Sequence, residues 1–197
     1  MKRNFECESF ANLFFRAKKA FMSRLRGMFY FYFGFFHRET KSKLVFGGGA
    51  RFINSKSIKL SENVHFGLLA RLECHGGFPK SSQPKIEIGA NSSFGDYCHI
   101  GAFNKIKIGK SVLGGSNVTI IDHNHGSTNR DLLGTDVLDP KKKPLVSKGP
   151  IIIGDNVWIG DGVIILHGSV IGCNAVIAAN VVVSGEVPPN TIFFGRQ

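Results

Sequence analysis

The sequence predicts an all-β body wound as a parallel β-helix, preceded by a helical arm and interrupted by one long loop. Three observations carry that prediction. Apolar residues recur every six positions, at Ile153, Ile159, Ile165, Ile171, Ile177 and Val183, without a break. Four places after each leading residue comes a small or β-branched one: Val157, Val163, Ser169, Ala175, Val181 and Val187. Glycine follows the leading residue at Gly154, Gly160 and Gly172. A period of six suits neither a helix nor a flat alternating sheet, but short strands joined by tight corners satisfy it. The leading aliphatic points inward, the small residue fits near a corner, and Gly or Asn tolerates the backbone there. Each turn buries its column against the turns above and below, so no turn is stable alone.

The arm spans residues 1–43 and carries 10 Lys/Arg against 3 Asp/Glu, most of the chain's formal charge of +11. Within it Phe10, Leu13, Phe14, Ala17, Phe21, Leu25, Met28 and Tyr32 follow steps of three and four, the spacing of one helix face. Arg16, Lys18, Lys19 and Arg26 fall largely off that face, while Arg24 intrudes on it. Two uses share this pattern: packing on the body or a neighbouring subunit, and lying in an anionic membrane surface. The apolar run "GMFYFYFGFF" is too short to span a bilayer, which needs about 20 residues. No small-residue cleavage site follows it, so a cytoplasmic protein is expected. No nucleic-acid motif accompanies the basic charge, and charge alone is a weak warrant for such a partner.

The body, residues 44–197, begins the six-residue grid at Leu60, Phe66 and Leu72, with Val64 and Ala70 near the corners. It continues through Ile88, Phe94, Ile100 and Ile106. After a two-residue shift it resumes at Ile108, Gly114 and Ile120, with Val112 and Val118 at the fourth places. Cys7, Cys74, Cys98 and Cys173 show no metal-ligand spacing and read as free thiols in a reducing compartment.

Between Ile120 and Ile153 the grid vanishes, and residues 122–150 read as a polar loop rich in Gly and Pro. Loops this long inside a compact domain are usually functional or disordered. It opens on "DHNHG", which supplies two histidines, the side chain whose ordinary pKa suits proton transfer near neutral pH. His65, His75 and His167 read as structural or exposed.

The run "IIIGDNVWIGDGVIILHGSVIGCNAVIAANVVVSGEVPPNT" resembles the C-terminal coils of the hexapeptide-repeat acyltransferases, in their sugar O-acetyltransferase branch. "DYCHIGAFNKIKIG" and "VTIIDHNHG" resemble the O-acetyltransferases of lipopolysaccharide and capsule synthesis. The resemblance covers about residues 44–195 and implies a left-handed parallel β-helix and a homotrimer. It implies an active-site loop at a subunit boundary and transfer from acetyl-CoA to a sugar hydroxyl, with no metal. In similar enzymes the catalytic histidine lies five residues after the last inward aliphatic, which here is His125. His123 is the alternative base. The resemblance puts Asp122 near the acceptor or in ordering the loop, and Asp96 and His99 where relatives contact the acceptor. At that place relatives carry an asparagine where the ungapped register here gives Gly95. Trp158 is expected beside the active site, and Gly160, Ala178 and Ala179 along the CoA groove between subunits. Relatives continue with Gly-Asn-Pro-Ala where this chain has Arg196 and Gln197, so Arg196 joins the CoA-contacting set at a shortened tail. Alternative acceptors are a free sugar, an amino sugar or serine, and the non-enzymatic alternative is a β-helix assembly module.

Overall fold

The computed structural model describes residues 17–18, 21–26, 43–76, 84–126 and 139–195. The body is a left-handed parallel β-helix with three faces. Face one stacks Val45–Phe46, His65–Phe66, Ser93–Phe94, Leu113–Gly114, Trp158–Ile159, Val176–Ile177 and Ile192–Phe193. Face two stacks Arg51–Ile53, Arg71–Cys74, His99–Ala102, Thr119–Ile121, Ile164–Leu166 and Val182–Val183. Face three stacks Ile58–Leu60, Ile86–Ile88, Ile106–Ile108, Ile151–Ile153, Val170–Ile171 and Glu186–Val187.

Every strand pairs parallel with its counterparts in neighbouring coils, so the leading residues form columns. Phe52, Leu72, Ile100, Ile120, Ile165 and Val183 run down the inside of face two. On face one the upper column is aromatic: Phe46 and Phe66 stack at 5.8 Å, and Phe66 and Phe94 at 5.4 Å. The Phe94 ring explains glycine at the next inward place, because a Cβ on Gly114 would sit 2.4 Å from Phe94 Cδ1.

Two details of the grid differ from the sequence reading. Ile106 and Ile108 both point inward from one strand, on either side of exposed Lys107, so the two-residue shift lies inside that strand. Val187 is itself an inward strand residue, in register with Ile171, because the corner after Val183 is shortened. Corners take left-handed backbone at Asn63, Asn91, Asn156, Asn174 and Asn190, and asparagine side chains there bond coil to coil. Asparagine adopts this conformation more readily than most non-glycine residues.

The corner between faces two and three is where the helix opens. There the chain leaves after Cys74 and returns at Ile86, and it leaves again after Ile121 and returns at Ile151. The sequence reading found only the second departure. At the described ends of that loop Asn124–His125 pairs antiparallel with Leu145–Val146, and Pro140–Lys142 forms a 3-10 turn.

The arm is helical at 17–18 and 21–26. The remainder of its predicted helix lies outside the described residues. Ser23 is buried and its hydroxyl donates to the Phe46 carbonyl, which seats this helix on the first coil. Phe21, Met22 and Leu25 stay exposed.

Candidate active site

Both departures leave from one corner, and their stems enclose a cavity of about 400 Å³. Its walls are Arg71, His75, His99, His123, Asn124 and His125, with Ile121, Leu145 and Glu73 completing it. Stacking explains the convergence. Leu72 and Ile120 point inward in the same column, and three residues past each come His75 and His123. Their rings meet edge to face with centroids 4.8 Å apart.

Asp122 is fully buried beneath this cavity. Its Oδ1 accepts the backbone N–H of Phe103 at 2.6 Å, and its Oδ2 accepts that of Asn104 at 2.9 Å. His123 Nδ1 lies 3.2 Å from Oδ1, so the carboxylate orients that imidazole. Of the two roles expected for Asp122, these bonds fit the ordering of the loop. Its hydrogen bonds tie the last strand before the loop to the coil that carries Phe103.

His125 stands on the exposed lip, in the hairpin with Leu145. Its ring makes no hydrogen bond among the described residues. Gly126 follows at φ +80, and its N–H donates to the Pro144 carbonyl at 2.9 Å. Asn124 anchors the same hairpin from below, with its amide nitrogen 2.9 Å from His167 Nε2. That contact makes Nε2 the acceptor and puts the His167 proton on Nδ1, which is buried without a partner. His75, expected to be structural or exposed, thus lines the cavity, while His167 keeps a structural role beneath the hairpin.

His99 lines the cavity on face two, and its Nε2 lies 2.8 Å from Glu73 Oε1. Asp96 is not brought to the cavity. Its Oδ1 accepts the Leu68 N–H at 2.7 Å in the corner between faces one and two. Asp161 does the same for Ser116 at the corresponding corner. One oxygen of the Asp96 carboxylate thus caps a backbone corner away from the cavity.

A second cleft, of about 340 Å³, runs along face one at the last coils. Trp158, Gly160, Asp161, Ala178 and Ala179 line it, with Val176 between them. The structure thus gathers four residues expected at the active site or donor groove. It puts them on a different side of the coils from the histidines. A Cβ on Gly160 would meet the backbone nitrogen of Ala179 at 2.6 Å, so glycine lets the two coils approach there. Arg196 lies outside the described residues.

Buried thiols are unsuited to nucleophilic work here. Desolvation pushes Cys74 and Cys98 up to about 12, well above the range where a thiolate forms at neutral pH. No group of three or more His, Cys, Asp or Glu among the described residues could hold a metal ion.

The bacterial transferase hexapeptide model (six repeats) matches residues 150–185. The protein described as "Putative lipopolysaccharide biosynthesis O-acetyl transferase WbbJ" of Escherichia coli (strain K12) is 36% identical over 143 residues, covering 72% of this chain and 69% of that protein. Among solved structures, a variant of AntD matches with a TM-score of 0.54 at 17% identity, covering 76% of this chain and 74% of that one. AntD is an N-acyltransferase from Bacillus cereus, there in complex with dTDP-4-amino-4,6-dideoxyglucose and coenzyme A, and the likeness shows a shared fold. The hexapeptide-repeat-containing acetyltransferase VCA0836 of Vibrio cholerae O1 biovar eltor, complexed with acetyl coenzyme A, matches with a TM-score of 0.49 at 28% identity, covering 75% and 66%.

Proposed function

The chain belongs to the bacterial hexapeptide-repeat acetyltransferases, and on that footing we propose that it moves an acetyl group from acetyl-CoA to a sugar hydroxyl during synthesis of a surface polysaccharide. The observation that carries this reading is the imidazole-walled cavity at the corner where the repeat is interrupted. A sugar hydroxyl is a weak nucleophile at neutral pH and needs a base as it attacks. In this reading His125 accepts the hydroxyl proton while the oxygen bonds to the thioester carbonyl carbon. The tetrahedral intermediate collapses, the C–S bond breaks, and the imidazolium returns the proton to the departing CoA sulfur. No covalent enzyme intermediate is needed. His123, held by Asp122, orients the acceptor beside the base, and Trp158, Gly160, Ala178 and Ala179 take the donor.

The working unit in this reading is the homotrimer that the family resemblance implies, which suits a histidine cavity and a donor cleft on different sides of one chain. A neighbour's cleft would then complete each cavity. Calorimetric titration of acetyl-CoA into the full-length protein tests the donor half without knowledge of the acceptor. Saturable binding near one site per subunit is expected, and no heat of binding up to millimolar donor would overturn the reading.

We read the location as cytoplasmic, peripheral at the inner membrane face. No helix among the described residues is long and apolar enough to cross a membrane. The exposed Phe21, Met22 and Leu25 beside Lys18 and Arg24 support an interfacial role for the arm. Deleting residues 1–40 is expected to abolish sedimentation with phosphatidylglycerol vesicles and to leave the β-sheet circular dichroism in place. Equal sedimentation of both proteins would assign the arm to packing alone.

A further inference from the structure

Glu73 is the least expected residue of the cavity. It projects from the outer side of face two, in register with Ile53 and Gly101, yet its side chain is only 4% exposed. The next residue of the same column is Ile121. A buried ion pair is weak evidence of a stabilising role, since apolar replacements of whole pairs are often neutral or better.

Three basic side chains converge on this carboxylate. Arg71 Nε and Nη2 donate to Oε2 at 2.9 and 2.7 Å, His99 Nε2 lies 2.8 Å from Oε1, and His75 Nε2 lies 3.4 Å from the same oxygen. Burial pulls the Glu73 pKa up, but the hydrogen bonds from His99 and Arg71 outweigh it and hold it below the ordinary glutamate value. An ionised carboxylate only accepts hydrogen bonds, so His99 Nε2 must be a protonated nitrogen. The His99 Nδ1 has no partner among the described residues, and the side chain lines the cavity.

Gly101 places this pair next to the first. A Cβ there would lie 3.4 Å from His123 Cε1, 3.5 Å from His99 Nε2 and 3.6 Å from Glu73 Oε1. Two carboxylate-held imidazoles, Asp122–His123 and Glu73–His99, thus flank one small floor. We propose that Glu73 is a positioning residue that fixes His99 with Nε2–H turned inward, so that Nδ1 accepts a hydrogen bond from a second hydroxyl of the acceptor, adjacent to the one acetylated. The acceptor is accordingly a polyol with neighbouring hydroxyls, bound through an imidazole lone pair. This rests on the sugar-acceptor reading above, while the tautomer it requires does not.

The test begins with long-range proton–nitrogen correlation spectra of the full-length protein above pH 7.5. His99 is expected with its proton on Nε2 and a bare Nδ1, and an Nδ1–H or doubly protonated form in the wild type would overturn the proposal. In Glu73→Gln, whose amide can accept or donate, the tautomer is expected to become mixed. Thiol release from acetyl-CoA is then followed with methyl hexopyranosides as acceptors. Glu73→Gln and His99→Ala are each expected to raise the acceptor KM about 10-fold or more, the worth of about one hydrogen bond to a polar partner, with the acetyl-CoA KM unchanged. A Glu73→Gln protein with wild-type His99 tautomer and acceptor KM would overturn it. If Glu73→Gln does not fold, Gly101→Ala supplies the kinetic arm, because its methyl makes only ordinary contacts yet covers the floor between the imidazoles. An unchanged acceptor KM in that variant would count against the proposal. A wild type that transfers to none of the hexopyranosides but shows the Nε2–H tautomer would overturn the acceptor role of His99 and leave Glu73 as its anchor.

Discussion

Substituting His125 by alanine is expected to lower acetyl transfer by about 10²–10⁴-fold, the usual contribution of a general base. The melting temperature is expected to move by no more than a few degrees. The physical reason for the asymmetry is exposure. His125 stands on the lip of the cavity and makes no hydrogen bond among the described residues, so its removal leaves no buried group unpaired. The hairpin keeps the Asn124–His167 contact and the Gly126–Pro144 bond that hold its shape. His123→Ala is the informative comparison. Its ring is only 9% exposed and bonds to Asp122, so its loss should cost both packing and acceptor affinity. If His125→Ala retains full turnover and His123→Ala loses it, the base is His123. Turnover unaffected by either substitution would remove imidazole base catalysis from the mechanism.

The coil architecture was open to reading from the sequence because its information is local. One inward aliphatic every six residues is set by corner geometry, and each coil repeats it. Its two misread details, at Ile106–Ile108 and Val187, are places where a strand or corner changes length while the apolar pattern stays plausible. Asp122, His123 and His125 stand together in "DHNHG", and the resemblance pointed to His99, but Glu73 and His75 reach the cavity from another coil without being singled out. A signal for His75 existed, since it stands three residues after Leu72, as His123 stands three after Ile120. For Glu73 the only trace is a charged residue between two buried neighbours in "LEC", which reads equally well as an exposed strand position. Asp96 lies away from the cavity and caps a corner, an arrangement that repeats at Asp161.

Asp122→Ala is expected to damage stability and activity together, and the way the losses combine shows how the residue acts. The carboxylate accepts two backbone N–H groups from the Phe103–Asn104 turn and sits wholly inside the protein. Charge-assisted hydrogen bonds of this kind contribute about 1.5–3 kcal/mol each, so a loss of about 3 kcal/mol is a reasonable expectation after partial rehydration of the turn. For a chain of this size that corresponds to a fall in Tm of roughly 6–12 °C. The thermal scan decides this half, and an unchanged Tm would mean the turn is held by other contacts. Activity is expected to fall as well, since His123 loses the oxygen that orients its Nδ1. If Asp122 works through His123, removing it from a His123→Ala protein should cost little further turnover. Residues that act as a unit are non-additive, whereas independent ones multiply. A full multiplicative loss in the double variant would mean that Asp122 reaches the chemistry through the hairpin carrying His125 rather than through the imidazole beside it.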